Sequence, residues 1–269
     1  MQDVHEVQGI LLAHAELLFL LHAVRAKALV SIAPAHLFPT SEAELDALIQ
    51  RGRDSLEARG LLKKTGDDRQ SIDNDLLTVI TTAAYPRVAT LLVHNTVEAG
   101  FQLLWFYQSE DSFIEHTVTQ ELLHRFLLYP NFSTLLDRME QIVSVQNGRT
   151  AKIEMKMEQD AFFTVKNMME REENEQARAV LNQVGLSNEE THAFLHTLER
   201  LRSAGNIAFL RCSHNSVVDG RNIALLQDEN TTWSARQCVA GQPLLTIETT
   251  DAQTVKALFR SSIEELLAV

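Results

Sequence analysis

Two Glu-x-x-His tetrads, Glu121-Leu122-Leu123-His124 and Glu189-Glu190-Thr191-His192, combine residue types and a spacing that could do chemistry. On a helix this spacing aims a carboxylate and an imidazole at one metal ion, as di-iron carboxylate proteins do. Such a site needs four long helices and two further carboxylates. Glu121 stands next to an expected strand, and in an acidic chain with ten histidines a tetrad or two arises by chance. No metal site is therefore expected. Cys212-x-His214 with Cys238 is a poorer ligand set, because zinc sites pair their ligands closely in each half. His94-Asn95 and His214-Asn215 place a ring that titrates near neutrality beside an amide. Each pair falls at the end of an expected strand before a turn, where Asn tolerates unusual backbone angles and a structural role suffices.

Signatures of catalysis are missing. The ten glycines never fall as Gly-x-Gly, so neither a dinucleotide fingerprint nor a phosphate-binding loop can be drawn. No Gly-x-Ser-x-Gly elbow occurs. The chain is read as a non-enzyme with no catalytic residue and no cofactor. A helix running into Ala58-Arg59-Gly60-Leu61-Leu62, followed by Lys63, Lys64 and Arg69, has the outline of a winged helix with a basic wing. Residues 51 to 69 carry six basic side chains against four acidic ones, a weak balance for DNA. The whole chain has a formal charge of -12 and a pI near 5.3, which repels phosphate backbones. Nucleic acid is not the expected partner, and a DNA-binding regulator is kept only as an alternative.

With 269 residues and 45% hydrophobic content, the chain can bury one large core or two packed ones. Two cysteines, Cys212 and Cys238, fit a reducing compartment. The apolar run Gly9 to Val24 includes His14, Glu16 and His22 and covers 16 residues, short of the roughly 20 that span a bilayer. A cytoplasmic protein without membrane insertion is the expectation.

The elements alternate in type along the chain. Helices are expected over Leu11 to Val30, from a Ser41-x-x-Glu44 capping box to Gly60, and over Asp75 to Ala84, with a loop between Lys63 and Asn74. A meander then follows, with strands through Val93, from Phe101 to Gln108 and from Ser112 to Thr119, before Asn131 caps a helix. Asn147-Gly148 is the expected turn into a second half. That half opens on a strand through Ile153, Met155 and Met157. Helices follow over Phe163 to Arg171, over Glu175 to Gln183 before Gly185, and from a Ser187 cap to Gly205. Strands Ile207 to His214, Arg221 to Gln227 and Thr232 to Val239 come next, with Asp219-Gly220 as hairpin turn and Asp251 capping the last helix.

The two halves read as copies. His94-Asn95-Thr96-Val97 with Gly100 returns 120 positions later as His214-Asn215-Ser216-Val217 with Gly220. The same spacing sets Phe113 against Trp233, Asn131 against Asp251 and Thr134 against Thr254. The expected fold is α+β: halves 1–148 and 149–269, related by a pseudo-two-fold and packed as one domain, with a central antiparallel sheet of β-meanders flanked by helices.

Phe101, Leu103, Trp105 and Tyr107 alternate onto one face of their strand, while Leu104 and Phe106 occupy the other. Both faces therefore need cover, from this chain or from a partner. Large aromatic groups anchor protein interfaces, so Trp105, Tyr107, Phe113 and Trp233 are the candidate protein-binding residues.

The sequence resembles the EspG family of chaperones of ESX (type VII) secretion. The resemblance rests on Ser55-Leu56-Glu57-Ala58-Arg59-Gly60-Leu61-Leu62 with Asp73 to Ala84 behind it, on Val217-Val218-Asp219-Gly220-Arg221, and on the Val255 to Leu267 helix. It implies a pseudo-two-fold α+β fold with a central antiparallel sheet. It also implies a cytosolic chaperone or adaptor that binds a helical secretion substrate, PE-PPE-like or other. A structural or regulatory interaction module unrelated to secretion is the alternative.

Overall fold

The computed structural model describes residues 8–30, 32, 37–64, 70–145, 152–214, 216–237 and 243–268. Strands are β1 (Gln8–Leu12), β2 (Leu62–Lys64), β3 (Gln70–Ile72), β4 (Val88–Thr96), β5 (Gly100–Gln108), β6 (Phe113–Val118) and β7 (His124–Tyr129). They continue as β8 (Glu154–Glu158), β9 (Ser203–Ser213), β10 (Ser216–Gln227), β11 (Thr232–Gln237) and β12 (Leu244–Thr250). Helices are α1 (His14–Ala23), α2 (Glu42–Ala58), α3 (Asn74–Ala84), α4 (Phe132–Val143), α5 (Gln159–Glu170), α6 (Asn174–Gln183), α7 (Asn188–Glu199) and α8 (Ala252–Leu267).

Ten strands form one antiparallel sheet in the order β1-β7-β6-β5-β4-β9-β10-β11-β12-β8, and β2 and β3 form a separate hairpin. The fold is the expected α+β architecture. The central pair joins the two halves of the chain, with Leu91 opposite Ala208 and Leu92 opposite Ile207. On one face α4 and α8 cover the middle, where Leu92, Phe106, Phe209 and Leu225 meet Leu136, Met139, Phe259 and Ile263. On the other face two helical layers stand apart. One, α1 to α3, buries Tyr107, Ile114 and Phe126, and the other, α5 to α7, buries Trp233, Ile247 and Met155.

Several expectations shift. Each half has one more strand in its meander than expected, β7 in the first and β12 in the second, each paired with the strand before it in the chain. The first helix begins at His14, since Leu11 and Leu12 belong to β1. The loop after Lys63 contains the β2–β3 hairpin. Ser41 caps α2 without a side-chain hydrogen bond, whereas Ser187 and Glu190 form a full capping box on α7. That helix ends at Glu199, and Gly205 lies in β9 opposite His94. Asp219-Gly220 is not the hairpin turn. Those residues sit inside β10 at a bulge between Val217 and Asp219, and His214, at φ 50°, takes the turn. Asn215, Asn147-Gly148, Cys238, Val239 and Arg69 lie outside the described residues.

The 120-residue spacing holds at the helix caps and breaks in the sheet. Asn131 Oδ1 accepts from Thr134 N at 3.0 Å, and Asp251 Oδ1 accepts from Thr254 N at 2.7 Å. Phe113, however, pairs with Tyr129 on the α4 face, while Trp233 packs against Phe194 on the opposite face. The cause is one residue: Tyr129 stands two positions before its cap, and Thr250, on the same face, stands one before Asp251. A slip of one residue sends every side chain of a strand to the other side.

Candidate protein-binding surface

Alternation along the central strands sends Val93, Asn95, Phe101, Leu103 and Trp105 toward the gap between the two helical layers. Ala204 and Asn206 of β9 and Asn222 and Ala224 of β10 continue the same floor. The layers do not meet over it, because α1 to α3 pack on the β7–β6–β5 side and α5 to α7 on the β10–β11–β12 side. Among the described residues the strip between them is open. Phe101 is 66% exposed and Leu103 46% exposed, values that place large apolar rings and chains in water. Exposed apolar groups gathered in one place mark a contact surface more often than a scattered few would.

Two recesses flank Phe101. One, of about 440 Å³, runs toward Phe162, Phe163 and Lys166 of α5. The other, of about 750 Å³, is bounded by His14, Leu37, Trp105, Val118, Leu122 and His124. Phe163, Val118 and Leu122 are also exposed. Amides outnumber charges in the polar part of the first recess, with Asn95, Asn206, Asn222, Gln159 and Gln237 beside Lys166 and Arg236. Among the described residues no acidic side chain lines either recess, although the chain as a whole is strongly acidic. Apolar rings and uncharged amides together suit a partner that offers apolar side chains and main-chain polar groups.

The four aromatic candidates are separated by the fold. Trp105 is half-buried, lines the larger recess and stacks on Tyr107 at 6.5 Å between ring centroids. Tyr107 is fully buried under the first helical layer. Phe113 is buried against Phe132 at 5.9 Å. Trp233 is 1% exposed, and its Nε1 donates to Thr197 Oγ1 at 3.1 Å, while the Thr197 hydroxyl donates to Asp228 at 2.6 Å. A ring whose polar atom is satisfied inside the core has nothing left to offer a partner without unfolding. Phe101 and Leu103, set by the sequence on one face of their strand, are not among the four candidates, and Phe163 escaped the sequence reading. The alternation of β5 indicated the face of the first two, but only the gap between the layers shows which end of the strand is bare.

The polar candidates are likewise placed. Glu121 lies in the turn before β7 and His124 is buried in that strand, so this tetrad is not helical. Glu189 and His192 lie on α7. Among the described residues no three His, Cys, Asp or Glu side chains form a group that could hold a metal ion. His94 Nε2 is 2.6 Å from Ser203 Oγ, and burial pulls this imidazole below its ordinary value. Cys212 is half-buried, and burial raises its thiol. No helix among the described residues is long and apolar enough to cross a membrane.

No protein-family model and no curated protein sequence matches this chain. Among solved structures, the type VII secretion system chaperone EspG5 of Mycobacterium tuberculosis, determined in complex with the PE25–PPE41 dimer, is similar in fold with a TM-score of 0.65. The match covers 97% of this chain and 96% of that one at 10% identity, so what the two share is the fold. The segments that carry the sequence resemblance fall from the end of α2 into β2, along α3, in the bulge of β10 and along α8.

Proposed function

We propose that this chain is a cytoplasmic protein-binding chaperone or adaptor whose client is a helical substrate of a type VII secretion system. The observation that carries this reading is the bare apolar strip around Phe101 and Leu103, lying between two helical layers that cover the sheet on either side. A fold shared over its length with EspG5, whose structure contains a PE25–PPE41 dimer, supports it. Binding at the strip covers apolar surface on both molecules. An interface of roughly 1,200 to 2,000 Å² is ordinary for this task. Of the aromatic candidates Trp105 borders the strip, Tyr107 and Trp233 lie buried beside it under the two helical layers, and Phe113 packs on the opposite face of the sheet.

The same reading includes a duplication with halves 1–148 and 149–269. Support comes from the strand order, in which each half supplies five neighbouring strands and the join lies between β4 and β9.

Co-expression with PE-PPE-like pairs, followed by size-exclusion chromatography, tests the proposal. A stoichiometric complex that is lost with Phe101→Asp plus Leu103→Asp supports it. A stable complex that ignores both substitutions moves the contact elsewhere, and no complex with any such pair favours an interaction module unrelated to secretion.

A further inference from the structure

The larger recess has a chemistry of its own. Its walls are mainly aliphatic and aromatic, from Leu37, Leu103, Trp105, Val118 and Leu122, with His14 and Thr117 as further polar neighbours, and among the described residues no Asp, Glu, Lys or Arg lines it. At one end stands His124, which is 5% exposed. Its Nδ1 lies 3.1 Å from His116 Nε2, and His116 Nδ1 lies 3.3 Å from the Tyr107 hydroxyl oxygen. The remaining nitrogen, His124 Nε2, has no hydrogen-bond partner among the described residues.

Each ring nitrogen of a neutral imidazole is either donor or acceptor, so the chain of contacts has two self-consistent directions. With the shared proton on His116 Nε2, His124 carries its own proton on Nε2 and donates from there. With the proton on His124 Nδ1, the same Nε2 accepts. A hydroxyl, which is both donor and acceptor, is satisfied in either state. An ammonium would lose its hydration here with no carboxylate among the described lining residues, and a carboxylate would find a cation there only in a protonated imidazole, at a cost of several kcal/mol. Short aliphatic alcohols leave the apolar walls uncovered. A phenol meets both demands, with a flat apolar body and one polar tip.

We propose that this recess binds the phenol ring of a client tyrosine, its hydroxyl hydrogen-bonded to His124 Nε2 and its ring held by Trp105 and Leu103. The source in a client rests on the protein-binding reading above; the phenol chemistry does not.

The test is a titration of the full chain, labelled with carbon-13 at histidine Cε1, with p-cresol, toluene and 4-methylbenzoate. The His124 resonance is identified by its loss in His124→Phe. p-Cresol is expected to shift the His124 and His14 signals saturably and to bind about three- to tenfold more tightly than toluene, the range of one neutral hydrogen bond. His124→Phe is expected to erase that preference. Leu103→Trp, at a half-exposed position, is expected to fill the recess and abolish p-cresol binding in a folded protein. Equal affinity for toluene and p-cresol, tighter binding of 4-methylbenzoate, or no saturable shift would overturn the inference. Because no client enters this experiment, its failure leaves the complex with a secretion substrate to be judged separately.

Discussion

Gly52 of α2 crosses α1 at the backbone of Ala15: a Cβ built on Gly52 would stand 2.5 Å from the Ala15 carbonyl carbon, 2.9 Å from Glu16 N and closer still to the Ala15 oxygen. All three neighbours are main chain and cannot swing aside. The crossing is pinned by Glu16, whose carboxylate accepts from Ser55 Oγ at 2.7 Å, Arg59 Nη1 at 2.7 Å and Ala13 N at 2.8 Å. Gly52→Ala is therefore expected to destabilise the fold by on the order of 3 kcal/mol, despite the better helix propensity of alanine. The midpoint of urea unfolding measures this, and an unchanged or raised midpoint contradicts the crossing.

Removing the carboxylate attacks the same joint electrostatically. Burial alone would raise the Glu16 pKa, but the Ser55 hydroxyl, the Ala13 amide and the Arg59 guanidinium outweigh it and hold the group below its ordinary value. Glu16→Ala leaves the α1–α2 joint without its acceptor. A loss of about 3 kcal/mol is expected, at the low end for a broken buried pair because Arg59 stays partly in water. Its signature is pH dependence: the wild-type advantage is present above about pH 4.5 and shrinks as the pH falls through the lowered Glu16 value.

Histidines set a second acid-sensitive window. Burial, with His124 nearby, pushes His116 down to about 3, and burial, with His14 nearby, pushes His124 down to about 4, from an ordinary 6.5. Between those values the unfolded chain binds more protons than the folded one, so stability rises with pH there. It is complete above about pH 6.5 and is lost as the pH falls toward 4 and then 3. Unfolding followed from pH 7 to 4 shows this slope in the wild type. His116→Leu is expected to flatten it, and an identical slope in both proteins would remove these rings from the account.

Trp233 and Phe101 separate core from surface. Trp233→Ala opens a cavity beside Phe194 and takes the indole donor from the Thr197 oxygen, with an expected loss of about 3 to 5 kcal/mol. Phe101→Asp, at a 66% exposed position, is expected to change stability by less than about 0.5 kcal/mol. Thermal melts of the two variants check the contrast. A Phe101→Asp protein that melts as early as Trp233→Ala would show that the strip is internal packing.

Sequence patterns disclosed the elements with a local cause. Asn131 and Asp251 cap helices because a short polar side chain precedes an amphipathic run, and Gly60 and Gly185 carry positive φ at helix ends. The alternation of Phe101 to Tyr107 gave the strand and its two faces. What stayed hidden depends on distant pairing. β7 and β12 are fixed by pairing along β6 and β11, and the Asp219-Gly220 pair that suits a tight turn is absorbed by a bulge because β9 runs on to Ser213 and β10 starts at Ser216. The 120-residue spacing could not reveal that one residue changes between strand and cap. For the surface, type and period marked Trp105 and Trp233 alike. Only the coverage by α1 to α3 and α5 to α7 makes one a rim residue and the other core.

The central claim, that the bare strip holds a client, is tested most directly by placing a photo-crosslinking amino acid at Phe101, with the exposed Leu77 of α3 as control, in the cells that make this protein. The account predicts one dominant crosslinked partner from Phe101 and none from Leu77. That partner should be a helical protein exported by a type VII system. Equal, diffuse crosslinking from both positions, or a dominant partner that is not a secreted helical protein, would contradict it.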